Sequence, residues 1–233
     1  MMETMARTPK YSVTVDTVLF TIADGPLETL VIRRKAEPFK GRLALPGGFV
    51  EEKEDLLAAA KRELTEETGI STRGITFSEL GAYGKPKRDP RGRTVSIVFV
   101  GLTNGHPATT AGSDASAVEW IPTGDLLRSP RKLAFDHHRI IGDALEDLAA
   151  RVEHSTAITE LCPKEFTISQ LRQAYEAIWD TELDPRNFHR KILSTEDLVV
   201  DTGTRIHHGG RPARLYRAGG AERLHPALVR SSG

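Results

Sequence analysis

Residues 48–70 read GFVEEKEDLLAAAKRELTEETGI, and this stretch decides how the first half of the chain folds. Glu54 to Thr68 has the periodicity of an amphipathic helix. Leu57, Ala60 and Leu64 form its apolar stripe, and Gly69 stands where a left-handed C-cap is expected. On that helix Glu63 and Glu67 lie four residues apart, and Glu66 lies three from Glu63, so the carboxylates share one face. Left alone they repel one another. A hard divalent cation relieves the repulsion, and Mg²⁺ suits because it takes oxygen ligands and keeps waters that a phosphate can replace. Arg62 can pair with Glu66 on the next turn. Upstream, Pro46-Gly47-Gly48 lets the backbone run close to a ligand. Most glutamate runs are solvated helix faces; the glycines at fixed offsets argue for a site here.

Outward from this helix, Tyr11 to Ala23 alternates and is rich in Val, Thr and Ile, as a strand should be. Leu30 to Arg34 reads as a second strand after a turn at Asp24-Gly25-Pro26, Thr94 to Thr103 as another, and Ala117 to Ile121 as a short one stopped by Pro122. Strands and helices mix without strict alternation, which predicts a mixed sheet with helices packed on it over residues 11–137. From His138 the pattern turns helical. Ile140, Ile141, Ala144, Leu145 and Leu148 make one stripe, read as a linker helix within 138–156. Ile168 to Trp179 predicts another helix, and Asp184-Pro185 opens a third, with the aspartate as N-cap and proline first in the helix. Two β-like pieces follow, Leu198 to Asp201 and Arg214 to Arg217. Two helices and a hairpin are the outline of a winged helix-turn-helix over 157–218. Residues 1–10 and 219–233 are expected to be disordered or flexible.

Composition narrows the setting. The 233 residues carry 32 Lys and Arg against 32 Asp and Glu, so no global field draws the chain to nucleic acid or membrane, and any basic surface is local. Cys162 is the single cysteine, which excludes an intrachain disulfide and fits a reducing cytosol; beside Pro163 it reads as a small hydrophobe. The short polar start has no apolar run like a signal peptide, and no window reaches the length of a membrane span. A cytoplasmic protein without a membrane partner is expected.

The run from Gly48 to Ile70 resembles the box of the Nudix hydrolase family at every defined position. The resemblance implies that Glu63, Glu66 and Glu67 hold Mg²⁺ or Mn²⁺, that the Gly47 carbonyl adds a further ligand, and that Glu54 and Arg62 hold loop and helix in place for catalysis. Gly84-Lys-Pro-Lys-Arg-Asp-Pro-Arg-Gly92 and Leu133-Ala-Phe-Asp-His-His138 resemble segments of Nudix proteins acting on ADP-ribose. Arg33, Arg34, Arg88 and Arg91 are candidates to grip phosphates over Gly48, since guanidinium binds them in bidentate fashion; solvated surface charge is the alternative for each. The sequence departs from the hydrolase pattern in one place. Such enzymes often use a glutamate beyond the box as general base, yet Gly101 to Ser116 contains none. Asp114 and Glu119 are the nearest candidates, and Glu119 also reads as an exposed strand residue.

Between Arg186 and Arg217 there are seven arginines and lysines against three acids, a local excess of four in a neutral chain. Arg186, Asn187, His189, Arg190 and Lys191 open the third helix, the part of a helix-turn-helix that enters the major groove. Asn187 suits an adenine edge and the arginines guanine or phosphate. Arg205, Arg211 and Arg214 on the wing would meet the DNA backbone or minor groove. On residues alone, DNA binding and dimerisation both fit. Phe166 to Ile178, Leu183 to Ile192 and Gly210 to Arg217 resemble the winged-helix domain of the Nudix-related transcriptional regulators of NAD metabolism. That resemblance, over roughly residues 11 to 218, implies a homodimeric repressor of NAD biosynthesis genes that binds a double-stranded operator and senses ADP-ribose or a related nucleotide. The box here is intact where family members often have a degraded one, so retained pyrophosphatase activity is a live expectation. The rival is an ADP-ribose pyrophosphatase with an accessory C-terminal dimerisation domain, releasing AMP and ribose 5-phosphate.

Overall fold

The computed structural model describes residues 10–23, 25–112, 115–207, 212–225 and 227–228. Its organising strand is β1 (Ser12–Ile22), buried along nine consecutive residues. A strand covered on both faces reads as a nearly continuous apolar run. Odd-numbered Val15 and Leu19 meet one helical layer, while even-numbered Val18, Phe20 and Ile22 meet the other. β2 (Glu28–Arg34), β3 (Leu43–Ala44), β4 (Gly47–Phe49), β5 (Thr76–Tyr83), β6 (Thr94–Asn104) and β7 (Ala115–Pro122) complete a seven-stranded mixed sheet in the order β3-β2-β1-β6-β5, with β4 paired to β1 and β7 to β2. β1 and β6 run parallel over their whole length, from Ser12 beside Thr94 to Ile22 beside Asn104.

On one face lies α1 (Leu56–Thr68), capped by the Asp55 carboxylate at its start and by Gly69 at φ 72° at its end. Ala59, Ala60 and Leu64 are its buried residues facing the sheet. On the other face lie α2 (Thr123–Arg128) and α3 (His137–His154). This is the expected mixed sheet between helices, followed by a winged helix. α4 (Ile168–Trp179) starts with a full capping box between Thr167 and Gln170. α5 (Pro185–Ser194) starts as predicted, with Asp184 Oδ1 accepting from the Asn187 N–H at 2.8 Å and Pro185 in the first turn. β8 (Val199–Ile206) and β9 (Ala213–Ala218) form the wing, and Phe166 bridges Tyr216 as a short third strand.

The helix read as a linker, α3, also packs into the core on both sides. Ile140, Ile141, Ala144, Leu148 and Val152 of α3 are fully buried in one continuous core that also holds Val18 and Phe20 of the sheet and Tyr175 and Trp179 of α4. Tyr175 Oη donates to the Val152 carbonyl at 3.1 Å and Trp179 Nε1 to that of Ala149 at 3.4 Å. Cys162 sits in the same core, and burial pushes its thiol up to about 12, as a structural hydrophobe should behave.

Within the segment 219–233, expected to be flexible, two described residues are docked. Leu224 and Leu228 are each 2% exposed, and their N–H groups donate to the His154 and Glu153 carbonyls at 2.8 Å. The end of α3 leaves carbonyls without intrahelical partners, and this segment supplies donors while burying an apolar pair. The expected disorder at the N-terminus falls on residues 1–9, outside the described residues. Leu224→Ala is predicted to cost about 2–5 kcal/mol in urea unfolding, the usual range for a buried leucine. A change within about 0.5 kcal/mol would show that the segment is not docked.

Candidate functional site

A cavity of about 460 Å³ opens beside the glycine-rich strand β4. The register of β1 and β4 sets Thr14 opposite Phe49 and Asp16 opposite Gly47, so these four residues edge the same site. Both glycines are required by space. A Cβ on Gly47 would lie 2.1 Å from the Val15 carbonyl oxygen, and one on Gly48 would lie 2.3 Å from Glu63 Oε1. The helix carboxylates therefore press directly on the loop, and Gly47 N–H donates to Glu67 Oε2 at 2.9 Å.

Arg62 ties this corner together. Its Nε and Nη2 donate to the two oxygens of Glu54, each at 2.8 Å, and Nη2 also reaches the Phe49 carbonyl at 3.1 Å. Nη1 donates to Glu63 Oε1 at 2.8 Å and to Glu66 Oε2 at 3.1 Å. The hydrogen bond from Arg62 holds the Glu54 carboxyl below its ordinary range. Burial pushes the Glu63 carboxyl up, against the pull of Arg62. Glu63 and Glu67 line the cavity, whereas Glu66 lies outside its lining and is largely exposed. Among the described residues no group of three or more acids, histidines or cysteines is arranged as a metal site. The carboxylates are brought together around a guanidinium.

Behind them lies a buried network only partly foreseen. Asp16 accepts from Ser96 Oγ and lies 3.5 Å from both Arg88 Nη2 and His137 Nε2. Arg88 also grips both oxygens of Asp136 through Nε and Nη2, at 2.7–3.1 Å. Burial works against its charge, but Asp136 and Asp16 more than offset that. The Leu45 N–H donates to His137 Nδ1 at 2.8 Å, so the ring proton sits on Nε2, toward Asp16. Complete burial pushes the His137 pKa down and keeps the imidazole neutral.

The four candidate arginines separate. Arg34, Arg88 and Arg91 line the cavity, but Arg88 is locked between carboxylates with a side chain only 4% exposed. Arg33 does not line it. It pairs with Glu119 at 2.7 Å, away from the cavity, because neighbouring strand residues point to opposite faces. The same pairing removes Glu119 from the cavity as a general base. Asp114 and Arg211 lie outside the described residues. Asp16 was missed by sequence reasoning, although a carboxylate inside an otherwise buried strand was a visible signal. Phe49, Asp89 and His137, also missed as site residues, lay within quoted motifs without an assigned role.

On the winged helix, Phe188 and Ile192 are buried, which turns Arg186, Asn187, His189, Arg190 and Lys191 to the surface together. Arg190 Nη2 donates to Asn187 Oδ1 at 3.2 Å. Arg205 is exposed on the wing, and Arg214 is tied to Asp201 at 2.8 Å. No described helix is long and apolar enough to cross a membrane.

Fold and site thus define a two-module protein: a Nudix domain with a ligand cavity, joined through α3 to a DNA-binding winged helix. The NUDIX domain family matches residues 10–143, and the NrtR DNA-binding winged helix domain family matches 158–218. The ADPR responsive transcriptional repressor NtrR of Acinetobacter baylyi is 33% identical over 211 residues, which cover 90% of this chain and 82% of that protein. Shewanella oneidensis NrtR complexed with a 27mer DNA superposes with a TM-score of 0.80 at 32% identity, covering 93% of this chain and 99% of that one. Its NUDIX domain complexed with ADP ribose matches 60% of this chain and 90% of that one, at 36% identity and a TM-score of 0.55. The ADP-ribose pyrophosphatase of Methanocaldococcus jannaschii is 49% identical over 124 residues, 52% of this chain and 69% of that protein. The chain belongs to the NrtR family of Nudix-related regulators.

The neutral His137 gives a pH prediction. Its folded pKa lies below the unfolded value, so the unfolded chain binds the proton more readily, and stability falls as pH drops below about 6.5. The urea midpoint should fall between pH 7.5 and 5.5, and His137→Asn should flatten that slope. An unchanged slope would show that His137 titrates normally.

Proposed function

We propose that this chain is a transcriptional repressor that holds an operator with α5 and the wing and releases it when ADP-ribose fills the Nudix cavity. One observation carries the reading. α3 begins at the cavity wall with His137 and ends in hydrogen bonds to Tyr175 and Trp179 of the winged helix. A ligand touching the first end can bias the position of the second, provided it prefers the DNA-incompetent arrangement. The A. baylyi and S. oneidensis relatives support both halves, the response to ADPR and the binding of DNA. Genes of NAD biosynthesis are the targets that the family resemblance implies. A homodimer would present two copies of α5 to half-sites one helical turn apart.

The residues around Gly48 fit a hard divalent cation. The donors are all oxygen, and Glu63 and Glu66 already share one guanidinium nitrogen. Glu63, Glu66 and Glu67, with the Gly47 carbonyl, would hold Mg²⁺ or Mn²⁺, and the ion would neutralise a diphosphate. Gly47 and Gly48 let the ligand approach, Arg62 positions the carboxylates, and Arg34 adds charge to the cavity lining.

A second reading, retained ADP-ribose hydrolysis, draws support from the intact box and the 49% identity to the M. jannaschii pyrophosphatase. The cavity carboxylates of Asp16 and Asp89 are both engaged by arginines, so neither is a free base. Release of AMP from ADP-ribose with Mg²⁺ or Mn²⁺ would establish this activity beside repression, and its absence would leave a pure sensor.

Genomic fragments captured on the full chain at moderate salt should elute with ADP-ribose. Failure to hold discrete fragments would leave α5 without an operator and favour the dimerisation reading. Arg190→Ala should weaken operator binding by about tenfold, within the usual 1–3 kcal/mol of a base contact, and leave ADP-ribose affinity unchanged. Glu66→Gln should do the reverse. Variants that damage both activities while remaining folded would contradict the division of labour.

A further inference from the structure

After Pro185, every exposed side chain of α5 is polar except one. Leu193 is 47% exposed, and among the described residues it is the one large apolar side chain of the winged helix left so open. A single leucine on a surface that stays wet is ordinary. This one stands on the face that is charged to meet DNA. At about 100° per residue, buried Phe188 and Ile192 fix the inward direction of the helix. The opposite direction falls on Arg190, with Arg186 and Leu193 close beside it. His189 and Lys191 lie on the two flanks, each about 100° from the outward direction.

The polar neighbours leave the leucine uncovered. Helical side chains lean toward the N-terminus, and Arg190 does so, its Nη2 donating to Asn187 Oδ1 at 3.2 Å. Ser194 turns its hydroxyl back to the helix, donating to the Lys191 carbonyl at 3.0 Å. The outward stripe of Arg186, Arg190 and Leu193 is therefore cation, cation, apolar, over about 10 Å of helix, the length of roughly three base steps. Leucine has no donor or acceptor and gives nothing to a phosphate. On the base edges of the major groove, the apolar group it can meet is the thymine C5 methyl. The local excess of four positive charges around it fits a polyanion, not an apolar protein surface.

We propose that Leu193 reads the C5 methyl of a thymine in the major groove of the operator, with Arg186 and Arg190 on neighbouring base edges and His189 and Lys191 on the phosphates to either side. This deepens the reading of α5 as the helix that meets the operator and rests on it. It adds a specificity contact that carries no charge and no hydrogen bond. It also divides α5 by role: changes along the outward stripe alter which sequence is preferred, and changes on the flanks weaken all sequences alike.

The test uses the full chain and the genomic fragment it holds most tightly, remade as synthetic duplexes in which each thymine in turn is replaced by uracil. Uracil keeps the hydrogen-bonding edge and lacks only the methyl. The native chain should lose about fourfold in affinity at one or more of these positions, the value of one buried methyl. Leu193→Ala and Leu193→Gln should bind the thymine duplex more weakly by a similar factor and be indifferent to uracil at the same position, while Leu193→Met keeps the preference. Lys191→Ala should weaken the thymine and uracil duplexes equally and reduce the salt dependence of binding. Both side chains are exposed, so the urea midpoint should be unchanged in all four variants, and a folding defect does not imitate the result. If the native chain tolerates uracil everywhere, or if every uracil penalty persists in Leu193→Ala, the assignment falls while α5 keeps its operator. If the chain holds no discrete fragment, the repressor reading and the assignment fall together.

Discussion

The buried stripe of α3 is the constraint on which the rest of the molecule depends. Ile140, Ile141, Ala144, Leu148 and Val152 pack into a core shared by the sheet and α4, so the helix cannot shift against one without disturbing the other. Dense packing transmits displacement instead of absorbing it. Its first residue, His137, is a wall of the cavity, and its last carbonyls are capped by the segment carrying Leu224 and Leu228. A helix pinned at both ends and along one side is a strut between ligand and DNA surfaces.

The cavity divides its work by chemistry. Glycines admit carboxylates to the backbone, and Arg62 gathers Glu54, Glu63 and Glu66. The Arg91 guanidinium lies over the rings of Phe49 and Phe135. A third group is the ion pairs centred on Asp16, Arg88 and Asp136. Buried charges of this kind contribute little net stability, because desolvation offsets their attraction. Here they join β1, the loop before β6 and the residue preceding α3, which sets the strut's starting position.

Much of this was legible in the sequence. The spacing of Glu63, Glu66 and Glu67 is a property of one helix, and Asp184-Pro185 is a local start signal, so α1 and α5 needed no tertiary information. β4 was hidden because Gly47 and Gly48 have no strand propensity, and only pairing with β1 makes them extended. β5 is half-exposed and bulged between Glu79 and Gly81, which blurs its alternation. The periodicity of α3 announced a helix but not what its stripe would pack against, hence the reading as a linker. The Arg33 and Arg34 pair shows the converse: once the strand was recognised, alternation already assigned one arginine to each face.

The strut account is tested most directly by thermodynamic reciprocity. The affinity for ADP-ribose would be measured on the free protein and on its saturated operator complex, and the operator affinity with and without ADP-ribose. The account predicts that the operator complex binds ADP-ribose about tenfold more weakly or worse, and that the two ratios agree. Equal affinity for ADP-ribose in both states would mean that α3 carries no information between the cavity and the winged helix.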